Sequence, residues 1–226
     1  RSLDMELRTA RVERFDADYY TQPVLADDCR IVQERLNDAA GGGRRCFGDV
    51  VVQWQTIAFR KFKYYTLEQI GQTKLDLPAQ RVNTAACWLQ PSRHALEATR
   101  DAGHRVSEGL CGVRNLLMVA LPPLAMCDRF DIGGIVDSAQ LGVGTIFLYD
   151  RYEGGLGYAR HAYERYEELL RMAYELVAGC RCEAGCPGCV APPNLRVPIH
   201  HDPDVQRGYE IPDKAATLPL LGAWGG

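Results

Sequence analysis

Lysine is scarce in this chain. Only Lys61, Lys63, Lys74 and Lys214 stand among 26 basic residues, and 29 acidic residues leave a formal net charge of -3. A chain so balanced has no global field to draw in nucleic acid or an anionic membrane, so any such contact must be local. The remaining cations are arginines, whose planar forks suit phosphate, although a GC-rich genome would favour them equally. No run approaches the ~20 apolar residues that a bilayer-spanning helix needs, and the polar start from Arg1 to Arg11 does not read as a signal peptide. No membrane partner is expected. Neither G-x-x-x-x-G-K-S/T nor G-x-G-x-x-G occurs, which removes the usual signatures of an ATP or dinucleotide site. The five histidines form no spaced ligand pair; His200 and His201 are adjacent and would point apart in an extended segment. Internal repeats and low-complexity tracts are lacking as well.

What is present is the material of a folded protein. With 226 residues, 46% of them hydrophobic, the chain can remove roughly 70% of its unfolded surface from water without disulfide staples. Nine cysteines therefore call for another explanation. An odd number of them without an export signal points to a reducing cytoplasm. Five are scattered, and Cys111 and Cys127 read as small core hydrophobes. The other four, Cys180, Cys182, Cys186 and Cys189, fall within ten residues.

Hydrophobic patterning predicts an α+β fold: a β-rich N-terminal half over residues 1–90 and an α/β half over 91–226. In the first half, alternating runs at 29–33 and 50–54 flank a turn at Asn37 to Gly43. The second run continues through Phe59, Arg60, Lys61, Phe62, Lys63, Tyr64 and Tyr65, where cations interleave with aromatics. Bases can stack on aromatics while cations hold phosphates, so Arg44, Arg60, Lys61 and Lys63 are candidate nucleic-acid contacts. A solvated strand with its aromatics in the core would show the same alternation. After Pro91, Ser92 reads as an N-cap. Val106, Leu110, Val113, Leu117 and Leu121 then form one apolar helical stripe, which Pro122 and Pro123 are expected to end. A buried strand at Thr145 to Tyr149 leads through Asp150 and Glu153-Gly154-Gly155-Leu156-Gly157 into a long helix from about Tyr158 to Val177, stopped by Gly179. Beyond Val190 the prolines predict a mostly irregular or extended tail.

The four clustered cysteines have the spacing C-x-C-x3-C-x2-C, close enough for four thiolates to surround one ion at about 2.3 Å each. Four sulfurs with no open position favour a structural zinc, so the long helix would end in a zinc knuckle at 180–189. An iron-sulfur cluster uses the same ligands, and redox or disulfide chemistry is the third reading. The glycine turn after Asp150 could offer helix N-terminal amides to a DNA phosphate, or simply let helix and strand pack closely. Asp128, Asp131, Asp137 and Asp150 lie near element ends. If they converged they could hold magnesium, as a nuclease requires, but loop aspartates more often cap helices or shape turns.

Three segments occur in order: Met126-Cys127-Asp128-Arg129-Phe130-Asp131-Ile132-Gly133-Gly134, then Phe147-Leu148-Tyr149-Asp150 leading to Gly154-Gly155-Leu156-Gly157-Tyr158-Ala159, then the cysteine cluster. Together they resemble the C-terminal zinc-binding domain of DEAD/DEAH-box DNA helicases of the mitomycin-repair type, over roughly Tyr19 to Val190. The resemblance implies an accessory domain of an ATP-dependent, 3′ to 5′, superfamily 2 DNA helicase in DNA repair. Its partners would be single-stranded DNA and RecA-like motor domains, in cis or in trans. It also implies that Cys180, Cys182, Cys186 and Cys189 bind zinc. Asp128, Asp131, Asp150, Gly154, Gly155 and Gly157 match signature positions to which it gives no chemical role. In the helix around Leu110 to Asn115, Cys111 and Asn115 stand where family members often carry histidines. ATP would be bound only by motor domains outside this chain. The alternatives are a protein-interaction module without DNA contact and, less favoured, a metal-dependent nuclease.

Overall fold

The computed structural model describes residues 1–190 and 212–225, so most of the proline-rich tail, with His200 and His201, lies outside the described residues. The elements are β1 (Ser2–Asp4), β2 (Thr9–Arg11), β3 (Tyr19–Ala40), β4 (Gly43–Lys63), β5 (Gln69–Lys74), β6 (Gln80–Pro91), α1 (Arg93–Asp101), α2 (Val106–Ala125), β7 (Ile132–Asp137), β8 (Thr145–Asp150), α3 (Tyr158–Glu164), α4 (Tyr166–Gly179) and α5 (Lys214–Gly225). The fold is α+β. Its contacts separate into two compact units, one of residues 1–26 and 55–78, the other of residues 27–54 and 79–226. The long strands β3 and β4 contribute residues to both.

The smaller unit holds the β1–β2 pair and the outer part of β4, which pairs antiparallel with β5 from Ala58↔Lys74 to Phe62↔Gln69. The larger unit is organised on a sheet in the order β3-β4-β6-β8-β7. Its interior strand β8, between β6 and β7, is buried at every position, as the apolar run predicts. Alternation sorts the sheet's side chains: Cys87, Leu89, Ile146 and Leu148 face the helices, whereas Ala86, Trp88, Phe147 and Tyr149 join Cys29, Cys46 and Val50 on the opposite face. On the helical face the stripe Leu110, Val113, Leu117 and Leu121 is buried, with Val106 packed at its edge. Ser92 caps α1, its Oγ accepting from the Ala95 amide at 3.1 Å.

Three expectations need correction. Pro122 and Pro123 do not end α2, which runs on to Ala125. The prolines forgo only two backbone donors near the C-terminus, buried Leu121 and Leu124 hold the last turns in the core, and the helix closes at Met126 in the left-handed region (φ 53°). The long helix after β8 is two helices, broken at Arg165. Its expected apolar side, Ala162, Tyr166, Leu169, Ala173 and Val177, is nevertheless buried throughout. Finally, residues 214–225 are not irregular. Despite Pro219 they form α5, because Ala216, Leu220, Leu221 and Trp224 bury against α1, α2 and α4. Glycine on α2 permits that approach: a Cβ at Gly109 would lie 2.5 Å from the Ala216 carbonyl oxygen. Among the described residues no helix is long and apolar enough to cross a membrane.

Candidate metal centre

The four clustered cysteines converge. Their sulfurs all lie within 4.8 Å of one another, and the separations Cys180–Cys182, Cys180–Cys186 and Cys182–Cys189 are 3.5 Å, with Cys186–Cys189 at 3.7 Å. A tetrahedron of sulfurs about 2.3 Å from a central ion has edges of about 3.8 Å, so this donor set fits one four-coordinate metal. Among the described residues it is the one group of His, Cys, Asp or Glu side chains with such geometry. The fold builds it from the end of α4, where Cys180 is the C-cap, and from a tight loop in which Gly185 has φ 127°. A Cβ at Gly185 would be strained and would press within 2.6 Å of the Val190 side chain.

Protons compete with a metal here. Hydrogen bonding from Cys182, first its backbone amide and then its thiol, pulls the Cys180 thiol down to about 7. Burial pushes Cys189 up to about 12 and raises Cys182. Four thiolates cannot coexist at this spacing without a cation, whereas a divalent ion reverses the balance and displaces the protons.

Neighbouring elements clamp the knuckle. The Lys214 ammonium at the start of α5 donates to the carbonyls of Cys180 (2.6 Å) and Cys182 (3.0 Å), and its amide donates to that of Ala184 (3.0 Å). From α2, buried Asn115 donates through Nδ2 to the Val190 carbonyl (2.6 Å) and accepts from Arg114 at 2.8 Å. Neither clamp was singled out from sequence for this task. Lys214 is separated from the cysteines by more than twenty residues, and a lone Asn on an apolar stripe carries no motif.

The aspartates are occupied with backbone. Asp150, fully buried at the end of β8, accepts at Oδ2 from the amides of Leu156 (2.6 Å), Gly157 (2.7 Å) and Tyr158 (3.3 Å), and at Oδ1 from Ala159 (2.7 Å). Its carboxylate thus caps α3 from across the turn and takes the amides that a DNA phosphate would need. Gly154, Gly155 and Gly157 carry the turn, all with φ between 77° and 97°. Asp128 accepts from the Phe130 amide (2.8 Å), while Asp131 accepts from the Asp128 amide (2.9 Å) and the Tyr152 hydroxyl (2.8 Å). Asp137 accepts from Ala139 (3.1 Å). These carboxylates do not converge on a common point among the described residues. Of the isolated thiols, Cys29 and Cys46 are pushed up to about 12, chiefly by burial, so both are protonated and inert at neutral pH.

The candidate nucleic-acid contacts are divided. Arg60, Lys61 and Lys63 lie in the smaller unit and Arg44 in the larger, where it is exposed and donates to Asn37 (3.1 Å). Arg60 is only 9% exposed and shares its face of β4 with Ala58 and Phe62. Lys61 lies 5.0 Å from the centre of the Tyr19 ring, and Lys63 pairs with Glu68 at 3.3 Å.

Comparison with known proteins places this arrangement. Residues 113–190 match the family model described as the MrfA Zn-binding domain. The ATP-dependent helicase YprA of Bacillus subtilis is 33% identical over 191 residues, which are 83% of this chain and 25% of the relative. The ATP-dependent helicase HRQ1 of Saccharomyces cerevisiae is 23% identical over 208 residues, 81% of this chain and 18% of the relative. The crystal structure of the helicase MrfA bound to DNA superposes with a TM-score of 0.66 at 29% identity, covering 98% of this chain and 28% of that one. The chain spans between about a fifth and a little over a quarter of the length of these relatives. The family match, the shared fold and the four-cysteine knuckle identify this chain as carrying the zinc-binding domain of MrfA-like helicases.

Proposed function

We propose that the chain is the zinc-binding accessory part of an ATP-dependent, 3′ to 5′ DNA helicase, which guides single-stranded DNA and docks on the motor domains during DNA repair in the cytoplasm. The observation that carries this reading is the four-sulfur knuckle fastened to both α2 and α5. Cys180, Cys182, Cys186 and Cys189 are the zinc ligands. With all four positions taken by thiolates the metal has no place for substrate, so what zinc supplies is folding free energy. A cluster would interpose several irons and sulfides between the thiolates, and separations of 3.5–3.7 Å favour a single ion instead. A zinc tetrathiolate carries a net charge of -2, which the Lys214 ammonium partly offsets while holding α5 to the knuckle.

The protein's own residues do the rest. Asn115 ties α2 to the residue after the last cysteine, Asp150 fixes the start of α3, and Asp131 joins the loop after α2 to the loop after β8. The result is a preorganised body that can transmit force between a motor and a strand. The likeness to the structure of the helicase MrfA bound to DNA supports DNA as the partner. Fluorescence anisotropy of a labelled single-stranded oligonucleotide, titrated with the zinc-loaded chain at several salt concentrations, tests the DNA role. Saturable binding that weakens steeply with salt is expected. No binding at low salt would leave a protein-docking module.

A further inference from the structure

We infer that the β4–β5 hairpin of the smaller unit ends in a base-stacking wedge, with Tyr65 as the residue that stacks on an unpaired base. The inference rests on the proposed single-stranded DNA role and locates it. The rings of Phe62, Tyr20 on the adjoining β3, Tyr64 and Tyr65 form a ladder, with successive centroids 5.7, 5.6 and 6.4 Å apart, the first pair stacked and the others tilted. The ladder begins in the core at Phe62, 3% exposed, and ends at Tyr65, which is completely exposed. A ring that buries nothing adds nothing to the core. It is also expensive to keep there: Tyr65 has φ 69°, a left-handed backbone that favours glycine, and Leu67 two residues on has φ 56°. The turn thus accepts strain to hold an aromatic at its tip.

Charge indicates what the ring meets. Three of the chain's four lysines, Lys61, Lys63 and Lys74, lie on this hairpin. Residues 55–74 hold four cations against Glu68 alone, in a chain whose net charge is -3. Lys61, Lys63 and Lys74 are at least partly exposed, and the Lys63–Glu68 pair is solvent-exposed and weak enough to open. A cationic ribbon carrying an exposed aromatic tip matches a single strand, whose phosphates follow the lysines while one base stacks on the open face of Tyr65.

Glycine at position 65 separates this role from a structural one. Tyr65→Gly removes the ring and relieves the backbone, so the full chain should keep or raise its melting temperature. Its affinity for a single-stranded oligonucleotide should fall at least about five-fold, the loss of one base stack. Tyr65→Phe should bind as the parent does, and 2-aminopurine fluorescence in the oligonucleotide should be quenched by the parent and Tyr65→Phe but not by Tyr65→Gly. If the parent binds and Tyr65→Gly binds equally well, the wedge is refuted while the DNA role stands. Equal losses on blunt duplex and single strand would overturn stacking on an unpaired base. If the parent does not bind single-stranded DNA at all, both readings fall together.

Discussion

Replacing Asp150 should cost stability without touching any chemistry. The carboxylate is fully buried and accepts four backbone amides, three of them at 2.6–2.7 Å. A hydrogen bond to a charged acceptor contributes about 1.5–3 kcal/mol, and loss of an ordinary helix cap alone costs about 0.5–2 kcal/mol. Asp150→Ala strands these amides in a site too closed for full rehydration, so a loss of about 4 kcal/mol is expected. For a chain of this size each kcal/mol moves the melting temperature by roughly 2–4 °C, which puts the fall near 10 °C or more. Asp150→Asn keeps the shape and one acceptor oxygen, but its amide group must face either Ala159 N–H or the Leu156 and Gly157 pair. About half the loss is expected. Thermal denaturation followed by circular dichroism, with both variants zinc-loaded, measures the difference. An Asp150→Ala variant melting within about 2 °C of the parent would refute the capping argument. Magnesium-stimulated DNA cleavage by the parent, lost in the variant, would point to a nuclease instead.

The knuckle makes further claims. Cys186→Ser should lower zinc content and melting temperature together, and a variant unchanged in both would remove Cys186 from the ligand set. Lys214→Met should keep zinc in the parent's stoichiometry but release it to a chelator faster, because the carbonyls of Cys180 and Cys182 lose their cationic donor; release at the parent's rate would contradict the clamp. Zinc affinity should rise with pH. Burial raises the Cys182 and Cys189 thiols in the metal-free fold, so both are protonated at pH 7 and both protons leave on binding. Each displaced proton contributes about ten-fold per pH unit, so these two give at least about a hundred-fold change in competition with a chelator between pH 6 and 7, and the Cys180 thiol, near 7, adds to it; a flat profile would contradict this proton count.

How far the sequence alone could lead is clearest at particular residues. The C-x-C-x3-C-x2-C spacing announced the metal site because its ligands are local, and the stripe from Val106 to Leu121 announced α2 because burial imposes a helical period. The strand at Thr145 and the buried side of the two helices that follow were legible for the same reason. α5 was not. Pro219 and the surrounding prolines argue against a helix locally, and only burial against α1, α2 and α4 overrides that preference. The prolines in α2 misled in the same way, since two lost backbone bonds near a helix end weigh less than the core packing of Leu121 and Leu124. Capping was the favoured reading for Asp150 from sequence, but the helix it caps and the amides it takes were not legible, because its partners lie across a turn whose path three positive-φ glycines define. Lys214 and Asn115 act over long sequence separations, which no local pattern encodes.

X-ray absorption at the metal edges of the purified chain, combined with elemental analysis, tests the central claim directly. One zinc per chain with a first shell of four sulfurs at about 2.3 Å is the expected result. Iron with inorganic sulfide, or a zinc shell containing nitrogen or oxygen, would contradict the assignment of Cys180, Cys182, Cys186 and Cys189 as a closed structural zinc site.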